Sequence, residues 1–227
     1  MNAPPRIAPP DAPRAVVDDD MLPLPRRLAV VGVAGAIDLA LYGMFNRAPT
    51  QPPALTPHCF VDDVVPFLPW TIYPYLTLLG LAFVLPPLVR ERAAFVDMMR
   101  AFVTAIGLNY AVWIAWPTFM PRPDDPGDVV GVGPWRWFTG FDHDNNALPS
   151  GHITIPVVAA WGVGRCFPRL RAPLLVLLVV LAPSVMTTKQ HTLGDLLAGL
   201  ATALVGIGVV VVGRAIVARR AIQGATS

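Results

Sequence analysis

Long apolar runs recur along this 227-residue chain, at 28–45, 67–88, 95–116, 153–167, 170–187 and 193–217. Most are about 18 to 22 residues long, the length a helix needs to cross the hydrocarbon core of a bilayer. A soluble domain of this size buries one core and cannot hide so many such runs, so they must face lipid or each other. The composition agrees: 54% of residues are hydrophobic, 14% are charged and the mean hydropathy is +0.55, which is too apolar for an ordinary soluble domain. The expected fold is all-α, an integral membrane six-helix bundle over residues 26–220, with an extracytoplasmic loop between spans 3 and 4. The fourth run is the shortest, and bundle packing or a thin local bilayer has to accommodate it.

Residues 1–25 hold Pro4, Pro5, Pro9, Pro10, Pro13, Pro23 and Pro25 with the acidic run Asp18 to Asp20. That composition predicts a disordered cytoplasmic tail. No short apolar segment with a cleavage site precedes the first run, which reads against a secretory signal. Residues 221–227 are expected to form a second cytoplasmic tail. With both termini cytoplasmic, 13 of the 17 Lys and Arg residues fall inside and only Arg47, Arg122, Arg136 and Lys189 fall outside, as the positive-inside rule requires. A net charge of +2 gives no reason to expect nucleic acid as a partner. Two cysteines, Cys59 and Cys166, are too few for a disulfide framework and fall on opposite sides, so free thiols are expected. One lysine against sixteen arginines suggests a bacterial genome, hence the bacterial inner membrane. Asp38, inside the first run, is expected to face the bundle with a polar partner.

Three clusters break the apolar pattern, and the topology puts all three at the outer ends of spans: Pro121-Arg122-Pro123, Leu148-Pro149-Ser150-Gly151-His152, and the stretch from Thr187 to Asp195. If the last helix starts near His191, Asp195 lies four residues on and on the same face. A carboxylate there can fix the imidazole tautomer and leave the other ring nitrogen as a nucleophile or base; a capped helix end with a structural His–Asp contact uses the same spacing. His152 follows Pro149, Ser150 and Gly151, so the free N–H groups of a helix start can point at an anion, and the histidine stands where a general acid would. Arg122 and Lys189 flank these clusters; arginine grips two phosphate oxygens and lysine acts as a point charge.

These clusters resemble the signature of the type 2 phosphatidic acid phosphatase superfamily, whose motifs are a Lys and Arg-Pro pair, Pro-Ser-Gly-His, and Ser-Arg with a downstream His and Asp. Arg122-Pro123 matches the first, Pro149-Ser150-Gly151-His152 the second, and Ser184 with His191 and Asp195 the third. The resemblance spans approximately residues 60 to 205. It implies metal-independent catalysis without a cofactor, in which His191 becomes a phosphohistidine, Asp195 orients it, His152 serves the leaving group, and Arg122, Ser150 and Gly151 hold phosphate. The chain departs from the pattern at two cations: Ala115 stands where the first-motif lysine would fall and Val185 where the third-motif arginine would. Lys189 takes the place of one of them in this reading. The stretch from Lys189 to Asp195, with Pro117 to Pro123 and Val65-Pro66-Phe67, looks more like the inositol phosphorylceramide and sphingomyelin synthase branch, whereas Gly151 is the phosphatase form.

The function so implied is hydrolysis of a lipid phosphate monoester or diphosphate, with a lipid phosphate as substrate and the site extracytoplasmic. The alternatives are a lipid phosphotransferase with a lipid hydroxyl as acceptor, a non-catalytic lipid-binding or transport protein, and a metal-dependent hydrolase built on His143, Asp142 or Asp144. Trp135, Trp137, Phe138 and Phe141 are expected at the membrane surface, shaping an entrance for the lipid.

Overall fold

The computed structural model describes residues 20–225, so most of the expected N-terminal tail lies outside the described residues. The chain forms helices α1 (Leu24–Arg47), α2 (Phe60–Val64), α3 (Ile72–Val84), α4 (Arg92–Ala115), α5 (Val132–Phe141), α6 (Gly151–Cys166), α7 (Arg171–Leu181), α8 (Ser184–Thr187) and α9 (Leu193–Ala225). Two-residue strands β1 (Ala54–Leu55) and β2 (Thr118–Phe119) pair in parallel. The helical part begins earlier than the composition suggests: Met21 bridges to Glu91, Leu22 N–H donates to the Arg90 carbonyl, and Pro25 occupies the first turn of α1, where a missing N–H costs nothing. At the other end, α9 runs on to Ala225, through most of the expected second tail.

This is an all-α membrane protein: five helical stretches, Leu24–Arg47, Pro69–Leu88, Arg92–Ala115, Pro168–Thr187 and Leu193–Gln223, are long and apolar enough to cross a membrane. The fourth expected span differs from these. It is α6, 16 residues long, about 24 Å at 1.5 Å per residue, against a hydrocarbon core of about 30 Å. What it lacks in length it has in burial, since α6 packs against α3, α4, α7 and α9. Its small residues allow this: Ala159 and Ala160 are buried, and a Cβ on Gly162 would overlap the Met98 side chain.

Three polar layers cross the α4–α6–α9 trio. At the end nearest Arg92, Asp97 of α4 accepts from Arg165 of α6 and, at 2.5 Å, from Arg214 of α9. Midway, Asn109 donates to Thr154 Oγ1 at 3.0 Å, and Thr154 meets Thr202 at 3.1 Å. The third layer is the candidate site. Between the first two lies a cluster of Ala101, Ala105, Val158, Ala159 and Ala203. By contrast α1 is peripheral, and polar contacts at successive heights hold it: Arg27 to the Pro87 carbonyl, Asp38 to Tyr110, and Tyr42 to Asp142.

Candidate active site

The N-terminal ends of α6 and α9 approach closely because Gly199 lacks a side chain: a Cβ there would come within 2.4 Å of the Ser150 carbonyl oxygen. Ser150 N–H in turn donates to the Asp195 carbonyl at 3.0 Å. His152, in the first turn of α6, and His191, two residues before α9, are thereby brought together, with His152 Nδ1 3.0 Å from His191 Nε2. Pro156 cannot donate to the His152 carbonyl, so this turn keeps an open acceptor. His191 is held by its own backbone, whose N–H donates to the Val185 carbonyl at 3.0 Å. Tyr75 Oη lies 3.1 Å from a His152 ring nitrogen, and its ring meets the imidazole edge-on at 5.1 Å.

With Nε2 of His191 facing His152, the remaining nitrogen, Nδ1, faces Asp195 Oδ2 at 3.5 Å. The expected His–Asp pairing is thus present as an approach longer than a hydrogen bond. The Asp195 carboxylate is already engaged, by Thr56 Oγ1 at 2.5 Å and by the Thr192 N–H at 2.9 Å. Thr56 reaches it because β1 pairs with β2, and Thr56 N–H donates to the Phe119 carbonyl. Catalytic hydrogen bonds are often long in ligand-free proteins and tighten with substrate.

Around this pair, buried hydrogen-bonding atoms lack partners among the described residues: Arg122 Nη1, Asn146 Nδ2 and Oδ1, Ser150 Oγ, Gln190 Nε2 and His191 Nδ1. Buried polar groups are almost always satisfied, so such a concentration marks a place built for something polar. Most of these atoms are donors, which suits an anion. Arg122 donates through Nη2 to the carbonyls of Asp142 and His143 at 3.1 Å each, leaving Nη1 open, and it acts electrostatically on His152. Gly151 leaves the helix start unobstructed, with Trp113 as the nearest wall at 3.5 Å from an added Cβ.

Other expected residues are placed differently. Lys189, in a left-handed turn at φ 55°, donates its ammonium to the carbonyls of Asp62 and Val65, at 3.1 and 2.6 Å. Its charge finishes α2 instead of entering the anion pocket, so its assignment to phosphate gains no support from geometry. Ser184 Oγ, at the start of α8, donates to the Leu181 carbonyl at the end of α7, and Val185 is buried in the apolar cluster beneath. Arg136 forms a two-pronged pair with Asp125 at 2.8 and 2.6 Å and so staples its loop. Of the four loop aromatics, Trp137 and Phe141 are exposed, whereas Trp135 and Phe138 are buried against Phe67 and Tyr75. Cys59 and Cys166 are free.

The surrounding loop also carries residues that no motif marks. Asn46, at the end of α1, exchanges hydrogen bonds with the backbone of His143 and Asn145 at 2.8 to 3.2 Å. Asp62 accepts from the N–H groups of Leu193, at 2.7 Å, and Cys59, at 2.9 Å. Burial pushes its carboxyl up, but these N–H donors outweigh burial and hold it below the usual carboxylate range. Asp142 goes the other way: burial raises its carboxyl, only partly offset by the Tyr42 hydroxyl, which donates at 2.6 Å, and by Arg122 and His191. Among the described residues no group of three or more His, Cys, Asp or Glu stands close enough to hold a metal ion.

His152, His191, Gly151 and Asp142 form the head of a cavity of about 520 Å³. The rest of it runs down between α1, α3 and α4, along apolar side chains from Tyr42 to Val31 on α1 and to Pro86 beyond α3. The eleven residue steps from Val31 to Tyr42 make that wall about 16 Å deep. It joins a polar head to a long apolar slot beside a peripheral helix.

Comparison with known proteins finds no family, no curated protein and no solved structure that matches this chain.

Proposed function

We propose that the protein is a metal-independent membrane lipid phosphatase, which hydrolyses a lipid phosphate monoester or diphosphate through a phosphohistidine on His191. What carries this reading is the 3.0 Å approach of His152 Nδ1 to His191 Nε2 at the head of an apolar cavity. In it α6 is a sixth, bundle-buried span, both termini are cytoplasmic, and the site opens on the extracytoplasmic side of a bacterial inner membrane, as the charge distribution favours. The motif resemblance to the type 2 phosphatidic acid phosphatases supports the same roles.

His191, neutral and with its proton on Nδ1 toward Asp195, attacks phosphorus through Nε2. The phosphorus–oxygen bond to the lipid breaks, and His152, entering as imidazolium, gives its proton to the leaving oxygen. Water then attacks the phosphohistidine, the phosphorus–nitrogen bond breaks, and His152 takes a proton from that water, which restores both histidines. Arg122, the Ser150 hydroxyl and the N–H groups at the start of α6 stabilise the charge that grows on the phosphoryl oxygens. The test is incubation with a lipid phosphate labelled in its phosphoryl group: wild type should carry an acid-labile, base-stable label and release phosphate in the presence of a chelator. His191→Ala should lose the label and about 10⁴-fold or more of turnover; full turnover in that variant removes the assignment.

One observation favours a second reading, transfer of a phospho-headgroup to a lipid hydroxyl. His191 is only 5% exposed, and the cavity that reaches it is walled by apolar side chains, so water is a poor competitor at phosphorus. Paired donor and acceptor lipids separated by thin-layer chromatography distinguish the two, since a transferase makes a new lipid and little free phosphate.

A further inference from the structure

The end of the bundle nearest Arg92 carries more positive charge than it neutralises. Asp97 is met there by both Arg165 and Arg214. A third arginine, Arg100, stands about one turn further along α4, exposed, and its guanidinium makes no hydrogen bond or ion pair among the described residues; only its carbonyl is engaged, by the Thr104 hydroxyl. Three guanidinium groups thus share one carboxylate. Arg100 belongs to a helix long and apolar enough to cross a membrane and lies eight residues past its start, about 12 Å along the axis. A cation at that depth faces hydrocarbon unless it reaches a polar group, and such residues pair or mark a site.

Helix geometry says where this guanidinium goes. α4 and α9 run antiparallel, with Gly206 against Ala101 and Ala105, and Arg214 against Asp97 and Ala93. Side chains lean toward the N-terminus of their own helix, so Arg100 leans toward the Arg92 end and Arg214 leans back from it. Both line one groove of about 750 Å³ between the two helices, which Asp97 does not line. The helices touch at Gly206, where a Cβ would come 2.5 Å from the Ala101 carbonyl oxygen, and have parted by Gly213, where an added Cβ meets nothing within 4 Å. Arg214 gives Nε to Asp97 and Nη2 to the Ala93 carbonyl, so Nη1 stays open among the described residues. Val209, Val210 and Val217 make the groove's apolar wall.

We propose that this groove binds the phosphate headgroup of an anionic membrane phospholipid, held by Arg100 and Arg214, with an acyl chain along the valines. A phosphate answers the surplus charge and takes paired hydrogen bonds from arginine, and basic pockets between membrane helices accept such headgroups. A second copy of this chain would bring a second unpaired Arg100 to the same face, so like charge opposes that occupant. The groove lies at the opposite end of the bundle from the histidines and does not depend on the phosphatase reading.

The test is a titration of the full-length protein in detergent, followed by native mass spectrometry, with phosphatidylglycerol and phosphatidylcholine of identical acyl chains. Wild type should bind phosphatidylglycerol about tenfold more tightly, the order set by two arginines beside one anionic headgroup. Arg100→Gln removes no contact of the folded protein, so its unfolding midpoint should stay put while its phosphatidylglycerol affinity falls about fivefold and its phosphatidylcholine affinity holds. Arg219→Gln, on α9 beyond the groove, should keep the preference, and inorganic phosphate at the lipid's concentration should not displace it. Equal affinities in wild type, a preference that survives Arg100→Gln, an equal loss in Arg219→Gln, or displacement by inorganic phosphate overturns the proposal.

Discussion

The two ends of the α4–α6–α9 trio treat buried polarity differently. At the end nearest Arg92 each helix contributes one charged residue, and the charges answer one another: Asp97 is fully buried, with guanidinium groups of Arg165 and Arg214 on Oδ2, although its Oδ1 has no partner among the described residues. At the histidine end the same helices bring Trp113, His152 and Asp195 together, and several donors, Ser150 Oγ and Arg122 Nη1 among them, have no partners among the described residues. A paired buried charge fixes helix positions, whereas unpaired donors keep hydrogen-bonding capacity in reserve for a ligand. The contrast separates a charge clamp from the proposed phosphate site.

Removing the clamp should cost stability and spare chemistry. Asp97→Ala strands two arginines, and because Arg214 is half-exposed the loss should lie at the low end for a broken buried pair, about 3 kcal/mol, read as a lowered unfolding midpoint in detergent. Turnover per folded molecule should stay unchanged; a loss of activity without a loss of stability would erase the distinction between the two ends.

Removing part of the proposed phosphate site should do the reverse. Ser150→Ala deletes a hydroxyl that bonds nothing in the ligand-free protein, so stability should move by less than about 0.5 kcal/mol. Its kcat/KM for a lipid phosphate should fall about 10²-fold, the cost of one donor to a developing oxyanion. A strongly destabilised variant would turn Ser150 into a structural cap.

The smallest effect sharpens the comparison through pH. Burial holds the Asp142 carboxyl above its ordinary range, while in the unfolded chain it titrates near about 3.9. The folded protein therefore binds this proton more tightly, and the associated stability is complete below about pH 3.9 and is lost as pH rises through the raised folded value. Asp142→Asn keeps an acceptor for Tyr42 and carries no charge, so its stability relative to wild type should grow from pH 4 toward neutrality. A flat difference across that range would mean that burial does not raise the Asp142 carboxyl.

Much of the site's composition was legible in sequence. Spacing brought His191 and Asp195 within reach of each other, although α9 begins only at Leu193 and His191 precedes it, and the residues before His152 are those of a helix start; both histidines stand at one end of the bundle. Tyr75 and Thr56 were not legible, because neither belongs to a motif: one is an aromatic in an apolar span, the other a threonine in a connecting segment. Lys189 was read by its charge, and charge alone does not reveal that a left-handed turn aims the ammonium at the end of α2. The fourth span was read by hydropathy, which registers apolar character but not whether lipid or protein supplies the surroundings.

What the sequence by itself determined is an all-α membrane protein with its polar residues gathered into a few short clusters, since hydropathy and helix periodicity are sums over neighbours in the chain. Only tertiary structure decided which side chains meet, that Asp38 opens into the same cavity as the histidines, and that α6 lies in the middle. Those outcomes depend on the rotation and separation of helices, set by close approaches such as Gly199 against Ser150 and Gly162 against Met98, between residues far apart in the chain.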